Sequence, residues 1–418
     1  MTPRRRPLRQ LANVSVSNVD KKSAEGQLPV RLINYTDVYY GDRLAPGPDL
    51  MEATATAQQL AAFRLLPGDV VITKDSETAD DIGVAAYVEE SANDVVLGYH
   101  LALLRPRPSM MFDRFLYWAI CSDDIRGQFE TSATGVTRFG LRSDAIRSAS
   151  LPAPPVAAQQ AIADFLDGET ARIDALVAKK RRLVLALDER FMEKARRFVT
   201  GGRVLSDPLD VRDADLVGGW RAARLGRELT FGSGTTPPAG DDRFYGPGVP
   251  WIVTANLRDV DVVEVTGSVT DRALAECSLR VHPAGSLVIA MYGATVGRLG
   301  FTTAPAAVNQ ACCAILPDGG IDLRFLFFYL LAHRSVLLER TVGAGQPNIS
   351  QQILRSIRIA VPSRSDQVRI ANELLRDRRR GTEARTLLNR QIALLREHRQ
   401  ALITAAVTGE LEIPGVAA

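Results

Sequence analysis

Residues 346–351, "QPNISQ", set two glutamines, an asparagine and a serine within six positions of a polar loop. The amides of glutamine and asparagine donate and accept together, so they can form paired hydrogen bonds with an adenine edge, as arginine can with guanine. Side chains of the same kind recur in four other loops: Lys74 and Ser76 in "TKDS", Arg138 in "TRF" with Arg142 beyond it, Tyr292 and Thr295 in "YGAT", and Gln310 after Asn309. With Gln346, Asn348, Ser350 and Gln351 these are the candidate DNA contacts. Asn348 and Ser350 have a second reading as caps of the turn that begins "QQIL", and the two roles are compatible.

Bond-making chemistry finds no comparable support. No GxxxxGK[ST] phosphate loop occurs, and "GATVGRLG" (293–300) lacks both its lysine and its spacing. There is no HExxH pair and no Asn/Asp-Pro-Pro-Tyr/Phe segment of the kind that holds a base for methyl transfer. Glu193-Lys194 resembles the end of a nuclease motif, but a solvated helix face explains it better. The four cysteines show no CxxC pairing and the four histidines are scattered, so neither a metal site nor a disulfide framework is expected. The expectation is a chain without catalytic residues or a cofactor of its own.

The elements that must position these loops come in duplicate. "GVTRFGLRSDAIRSASLPAP" (135–154) and "GAGQPNISQQILRSIRIAVP" (343–362) share a shape at a separation of 208 residues. The same offset pairs Gln159 with Gln367, Ile162-Ala163 with Ile370-Ala371, Leu187 with Leu395, and Val199-Thr200-Gly201 with Val407-Thr408-Gly409. The segment after each proline reads as a helix of roughly forty residues, about 60 Å long, with Gly201 and Gly409 as stops. Apolar residues recur every seven positions at Leu374, Leu388, Leu395 and Leu402, and in the first copy at Leu166, Ile173 and Leu187, joined by Leu176 and Leu183. Such spacing marks helices that pack along a seam. Lys180 and Lys194 interrupt one seam and Gly381 weakens the other, so each helix is poor alone, and antiparallel pairing of the two within the chain is expected. Fainter matches precede the helices: "LLPGDVVITKD" with "VHPAGSLVIAMYG", and "FLYWAI" with "FLFFYL".

The expected plan is globular unit, rod, globular unit, rod. Its boundaries are 1–154 and 204–362 for the globular units, and 155–203 and 363–418 for the helices and tail. At 418 residues the chain exceeds one ordinary core, and 46% hydrophobic with 24% charged residues is a folded composition. Net charge is only +3, so a polyanion surface must come from local clusters. The clusters are "AKKRR" (178–182), "RDRRR" (376–380) and the arm "PRRRPLR" (3–9). Each can be a solvated or partner-facing surface or a phosphate contact. No stretch reaches the length of a signal peptide core or a membrane span, and a reducing cytoplasm is the expected location.

Two globular units, each followed by an equivalent helix entered at a proline, resemble the specificity subunit of type I restriction-modification systems. The resemblance rests on "LPAPPVAAQQAIADFLDGETARIDAL", "ITAAVTGEL", "GVPWIVTANL", "SLVIAMYGATVG" and "GAGQPNISQQIL", and covers essentially the whole chain. It implies an α+β fold: two mixed α/β target-recognition domains separated by an antiparallel coiled coil of long helices, with an internal pseudo-twofold repeat. Each domain would read one half of a bipartite asymmetric site on double-stranded DNA, and the helices would set the spacer. Two methyltransferase subunits would dock and bring S-adenosylmethionine, and a restriction subunit, where present, would bring ATP and Mg2+. One departure stands out: the loop after "VVIT" is commonly glycine-rich in the family, whereas here Asp75, Glu77, Asp80 and Asp81 repel phosphate. The alternative class is a scaffold of two modules on a helical spacer, without a DNA or methyltransferase partner.

Overall fold

The computed structural model describes residues 3–259, 263–265, 267–341, 348–414 and 416. Two compact units divide the chain, one formed by Met1–Arg181 with Asn389–Ala418, the other by Arg182–Leu388. Each contains a globular α/β part and a portion of both long helices, Val156–Val199 and Arg364–Thr408.

In the first unit a five-stranded sheet runs in the order Ala12–Val16, Leu101–Pro106, Val70–Thr73, Ala85–Val88, Arg43–Leu44. In the second unit a four-stranded sheet runs Phe231–Ser233, Cys312–Ile315, Leu287–Ala290, Leu299–Phe301. The first four strands of one correspond in order to the four of the other, and all of these pairs are antiparallel. A smaller layer is repeated as well: Leu28–Ile33 lies parallel to Val95–Leu97, and Tyr245–Ile252 parallel to Ala306–Val308.

The central strands are unbroken apolar runs because both of their faces are covered. Val70 and Ile72 join a core with the helix Asp113–Cys121, while Val71 joins the core beneath the smaller layer. Leu287 and Ile289 divide from Val288 and Ala290 in the same way. The period-two alternation of side chains thus feeds two cores from one strand. All four cysteines are free thiols, and Cys312 and Cys313 are buried one on each side of their strand.

Both long helices begin and end by the same devices. Gln159 is fully buried: its Oε1 accepts from the Phe112 N–H at 2.8 Å, and its Nε2 donates to the carbonyls of Met110 (3.0 Å) and Pro154 (2.8 Å). Gln367 repeats this, accepting from the Asp322 N–H at 2.7 Å and donating to the Pro362 carbonyl at 3.1 Å. Phe112 and Asp322 are the N-caps of the core helices Asp113–Cys121 and Leu323–Ala332. At the other ends Gly201 and Gly409 adopt φ of +63° and +78°. The next N–H then reaches back, Gly202 to the Arg197 carbonyl and Glu410 to that of Ala405, which is the Schellman arrangement.

The two helices run antiparallel within each unit. In the first unit Asp174 pairs with Arg399 at 3.1 Å and Lys180 donates to Gln391 at 2.6 Å, so partner numbers fall as positions rise. In the second, Asp188 pairs with Arg385 and Lys194 with Glu373 and Asp377. The lysines that interrupt the apolar seam are therefore answered across it. Ile173, Val177 and Ile392 form its buried centre in the first unit, with Leu395 and Leu402 against them, and Leu166 and Leu374 are buried in the globular cores. Leu187 and Leu388 are half-buried. Leu176 and Leu183 lie outside the seam, each 47% exposed. A helix repeats every 3.6 residues, and the place next to Ile173 is taken by Val177 at i+4 rather than Leu176 at i+3.

Gln159→Leu removes three buried hydrogen bonds and strands the Phe112 N–H. We expect the first unit to lose about 2–4 kcal/mol while the second keeps its stability. Urea unfolding of the full chain measures this, and an unshifted transition would show that the amide is dispensable.

Candidate nucleic-acid interface

The strand order decides which loops meet. In the second unit the chain leaving Leu287–Ala290, the turn entering Cys312–Ile315 and the segment before the helix Gln351–Ser356 converge at one sheet end. The Met291 N–H donates to the Ala311 carbonyl at 2.7 Å, the Ile349 N–H to the Met291 carbonyl at 2.9 Å, and Tyr292 forms a β-bridge with Asn348. The Asn309 N–H reaches the Ile252 carbonyl, which adds the smaller layer to the same end. Tyr292, Gln310 and Asn348 are thereby brought together, with Tyr292 and Gln310 exposed.

Ser350 caps the helix Gln351–Ser356, accepting from the Ile353 N–H at 3.1 Å. Gln351 turns inward, its Nε2 3.7 Å from the Cys313 sulfur. Thr295 sits half-buried in the 3-10 turn Gly293–Thr295. Gln346 lies outside the described residues. Asn309 and Asn348 each bury a side-chain carbonyl oxygen that has no hydrogen-bond partner among the described residues.

The first unit builds the corresponding end with other chemistry. Phe139–Gly140 pairs with Asp75–Ser76, the equivalent of the Tyr292–Asn348 bridge. The loop between Thr134 and Gly140 closes by two backbone hydrogen bonds, and Gly135 (φ +145°) has no room for a side chain against the Arg138 carbonyl. Val136, Thr137 and Arg138 form its exposed tip. Arg142 is exposed and pairs loosely with Asp144 at 3.3 Å.

Lys74 and Ser76 are committed to internal contacts. The Lys74 ammonium lies 2.9 Å from Asp75, whose same oxygen is 2.6 Å from His100 Nδ1. Burial opposes the charge of Asp75, but the hydrogen bonds from His100 and Lys74 outweigh it and hold the carboxyl below its usual range. Ser76 is buried, and its hydroxyl accepts from the Thr78 N–H. The carboxylate thus neutralises the cation next to it, and of this unit's four candidate contacts Arg138 and Arg142 are the exposed ones.

One supporting group has no counterpart among the residues expected from sequence. Asp259 is buried, with φ of +60°, and accepts from Arg298 at 2.6 Å, from two nitrogens of Arg334 and from the Leu299 N–H at 3.1 Å. It fastens the C-terminal end of the segment that carries Tyr292 and Thr295, since Arg334 also donates to the Gly297 carbonyl at 3.0 Å. A left-handed aspartate with two arginines has no local signature; only the fold brings the three together.

Among the described residues no group of three or more His, Cys, Asp or Glu could hold a metal ion, and no helix is long and apolar enough to cross a membrane. The two loop ends offer hydrogen-bond donors, acceptors and cations on rigid sheets, which is equipment for recognition.

Comparison with known proteins agrees in kind. Residues 219–376 match the family model described as the type I restriction modification DNA specificity domain. The type I restriction enzyme MjaIX specificity subunit of Methanocaldococcus jannaschii is 26% identical over 147 residues, 34% of this chain and 34% of that protein, so the match spans about a third of the relative's length. A chain of a solved type I R-M assembly aligns with a TM-score of 0.73 at 18% identity, covering 98% of both chains. The HsdS subunit of Thermoanaerobacter tengcongensis aligns at 0.57 and 17% identity, over 98% of this chain and 97% of that one.

Asp259→Asn removes the charge that two arginines share. Because the carboxylate is buried and both partners stay behind, we expect the second unit to lose about 3 kcal/mol, read by urea unfolding. A change near zero would mean that the arginines simply turn to solvent.

Proposed function

We propose that the chain is a specificity subunit of a type I restriction-modification system and the DNA-reading member of such a complex. Residues 1–154 and 204–362 act as target-recognition domains, each for one half of a bipartite asymmetric site in double-stranded DNA. Residues 155–203 and 363–418 set the unread spacer and dock two methyltransferase subunits, with a restriction subunit as a further partner. Those subunits carry S-adenosylmethionine, and ATP with Mg2+ where DNA is cut.

The observation that carries this reading is a repeated frame with unlike ends. Sheet order, glutamine clamps and helix stops are shared, whereas Arg138 and Arg142 in one copy stand where the other has Gln346 and Ser350. Arginine suits guanine, and asparagine or glutamine suits adenine. Two ends of different chemistry fit two half-sites of different sequence.

Exchange of residues 204–362 for those of a relative, with the remainder kept, should alter one half of the methylated motif and leave the other half and the spacer intact. Sequencing of methylated bases from cells that carry the exchanged chain with its methyltransferase subunit reads the outcome. An unaltered motif would refute the assignment of one half-site to each domain.

A further inference from the structure

The two copies correspond residue for residue around one core helix, and there they differ in a way that exposes a pocket. The clamps fix the correspondence: Gln159 grips Phe112 as Gln367 grips Asp322, so Arg114, Tyr117 and Trp118 match Arg324, Phe327 and Phe328. Strand register adds Tyr87, opposite Val70, as the match of Phe301, opposite Leu287. The helix repeat makes Leu375 the match of Asp167.

In the first copy this place is closed. Arg114 lies over the Tyr87 ring at 4.5 Å and the Tyr117 ring at 5.1 Å, and its Nε donates to Asp167 at 3.1 Å. Trp118 Nε1 donates to the same carboxylate at 2.9 Å. A charged pair on an aromatic bed gains from both the hydrogen bonds and the ring faces.

The second copy has the aromatic bed, with Arg378 over the Phe327 ring at 5.1 Å, but no acid at the place of Asp167, and the acid that lines the pocket, Asp322, is paired with Arg364 at 3.3 Å. Leu375 replaces Asp167, Phe328 replaces Trp118, and Arg324 is exposed without an ion pair among the described residues. A half-open pocket of about 450 Å³ remains, with Phe301, Phe327 and Leu375 on its floor and Arg324 and Arg379 on its rim. Arg379 likewise has no ion pair among the described residues. The helix turn beside it reads "RDRRR" (376–380), where the first copy has "GETAR" (168–172). Its one acid, Asp377, is engaged by Lys194.

We propose that this pocket receives an acidic segment of a partner protein, an aspartate or glutamate beside an apolar side chain, and that the incoming carboxylate takes the part Asp167 plays in the first copy. The lining sets the chemistry of the occupant. Arginines on the rim select an anion, and the aromatic and aliphatic floor selects an apolar anchor next to it, which a phosphate backbone does not offer. The partner is the methyltransferase subunit proposed above, so this inference rests on that reading. In the first copy Asp167 already holds Arg114 and Trp118, so the proposed contact belongs to the second copy.

Two variants of the full chain test it against purified methyltransferase subunit. Leu375→Asp supplies the carboxylate from within and closes the pocket, while Arg324→Glu with Arg379→Glu reverses the rim at two exposed positions. Each should weaken assembly roughly tenfold or more, with the melting temperature of the free chain essentially kept. Equal assembly by both variants and the wild type overturns the inference. Intact assembly with a selective loss of DNA affinity also overturns it, since the rim would then be a phosphate site. If the wild-type chain itself fails to bind the subunit, the functional reading falls, and the docking site with it.

Discussion

A buried primary amide has to give and take hydrogen bonds at once, and the chain uses this twice to fasten a long helix to a globular core. Gln159 and Gln367 each stand at the start of their helix, each accept from the N–H of the residue that caps a core helix, and each donate to the carbonyl of a proline that precedes the long helix. Leucine would leave those groups unpaired, and a carboxylate could accept but not donate. Because the clamp joins three segments, it fixes the direction in which the helix leaves its own unit. The seam is only intermittently apolar, and its lysines are met across it by Gln391, Glu373 and Asp377.

With the frame held in this way, the loops are free to differ. In the second unit three loops meet through backbone hydrogen bonds, so the identity of Gln310 or Tyr292 has no bearing on whether they meet. In the first unit a hairpin held by Phe139–Gly140 against Asp75–Ser76 does the same work with Arg138 at its tip. Backbone supplies position and side chains supply chemistry, which lets a recognition surface change without cost to the core. Asp259 and Asp75 are the exceptions, carboxylates that hold cations in place behind the surface.

Much of this architecture is legible in the residues. The offset of 208 locates both helices, their proline starts and their glycine stops, because caps and stops are local and depend on residue type. Gln159 and Gln367 also appear as a matched pair, but what each amide grips lies 45–49 residues upstream and is visible only in the fold. The seam is less legible: seven-residue spacing points to Leu176 and Leu183, while the true helical period buries Val177. The loops are the least legible part. Lys74 and Ser76 have suitable side chains, yet Asp75 and burial withdraw both, and no spacing in the sequence reports an ion pair whose third member is His100.

In the function proposed, one chain reads two unlike half-sites through two copies of one frame. The most direct test of this is to map methylated bases across the genome of a cell in which this chain and its methyltransferase subunit are the sole modification system. The result expected is a single motif of two different specified halves separated by unspecified bases of fixed number. A continuous motif, a palindrome with identical halves, or no methylation dependent on this chain would contradict it.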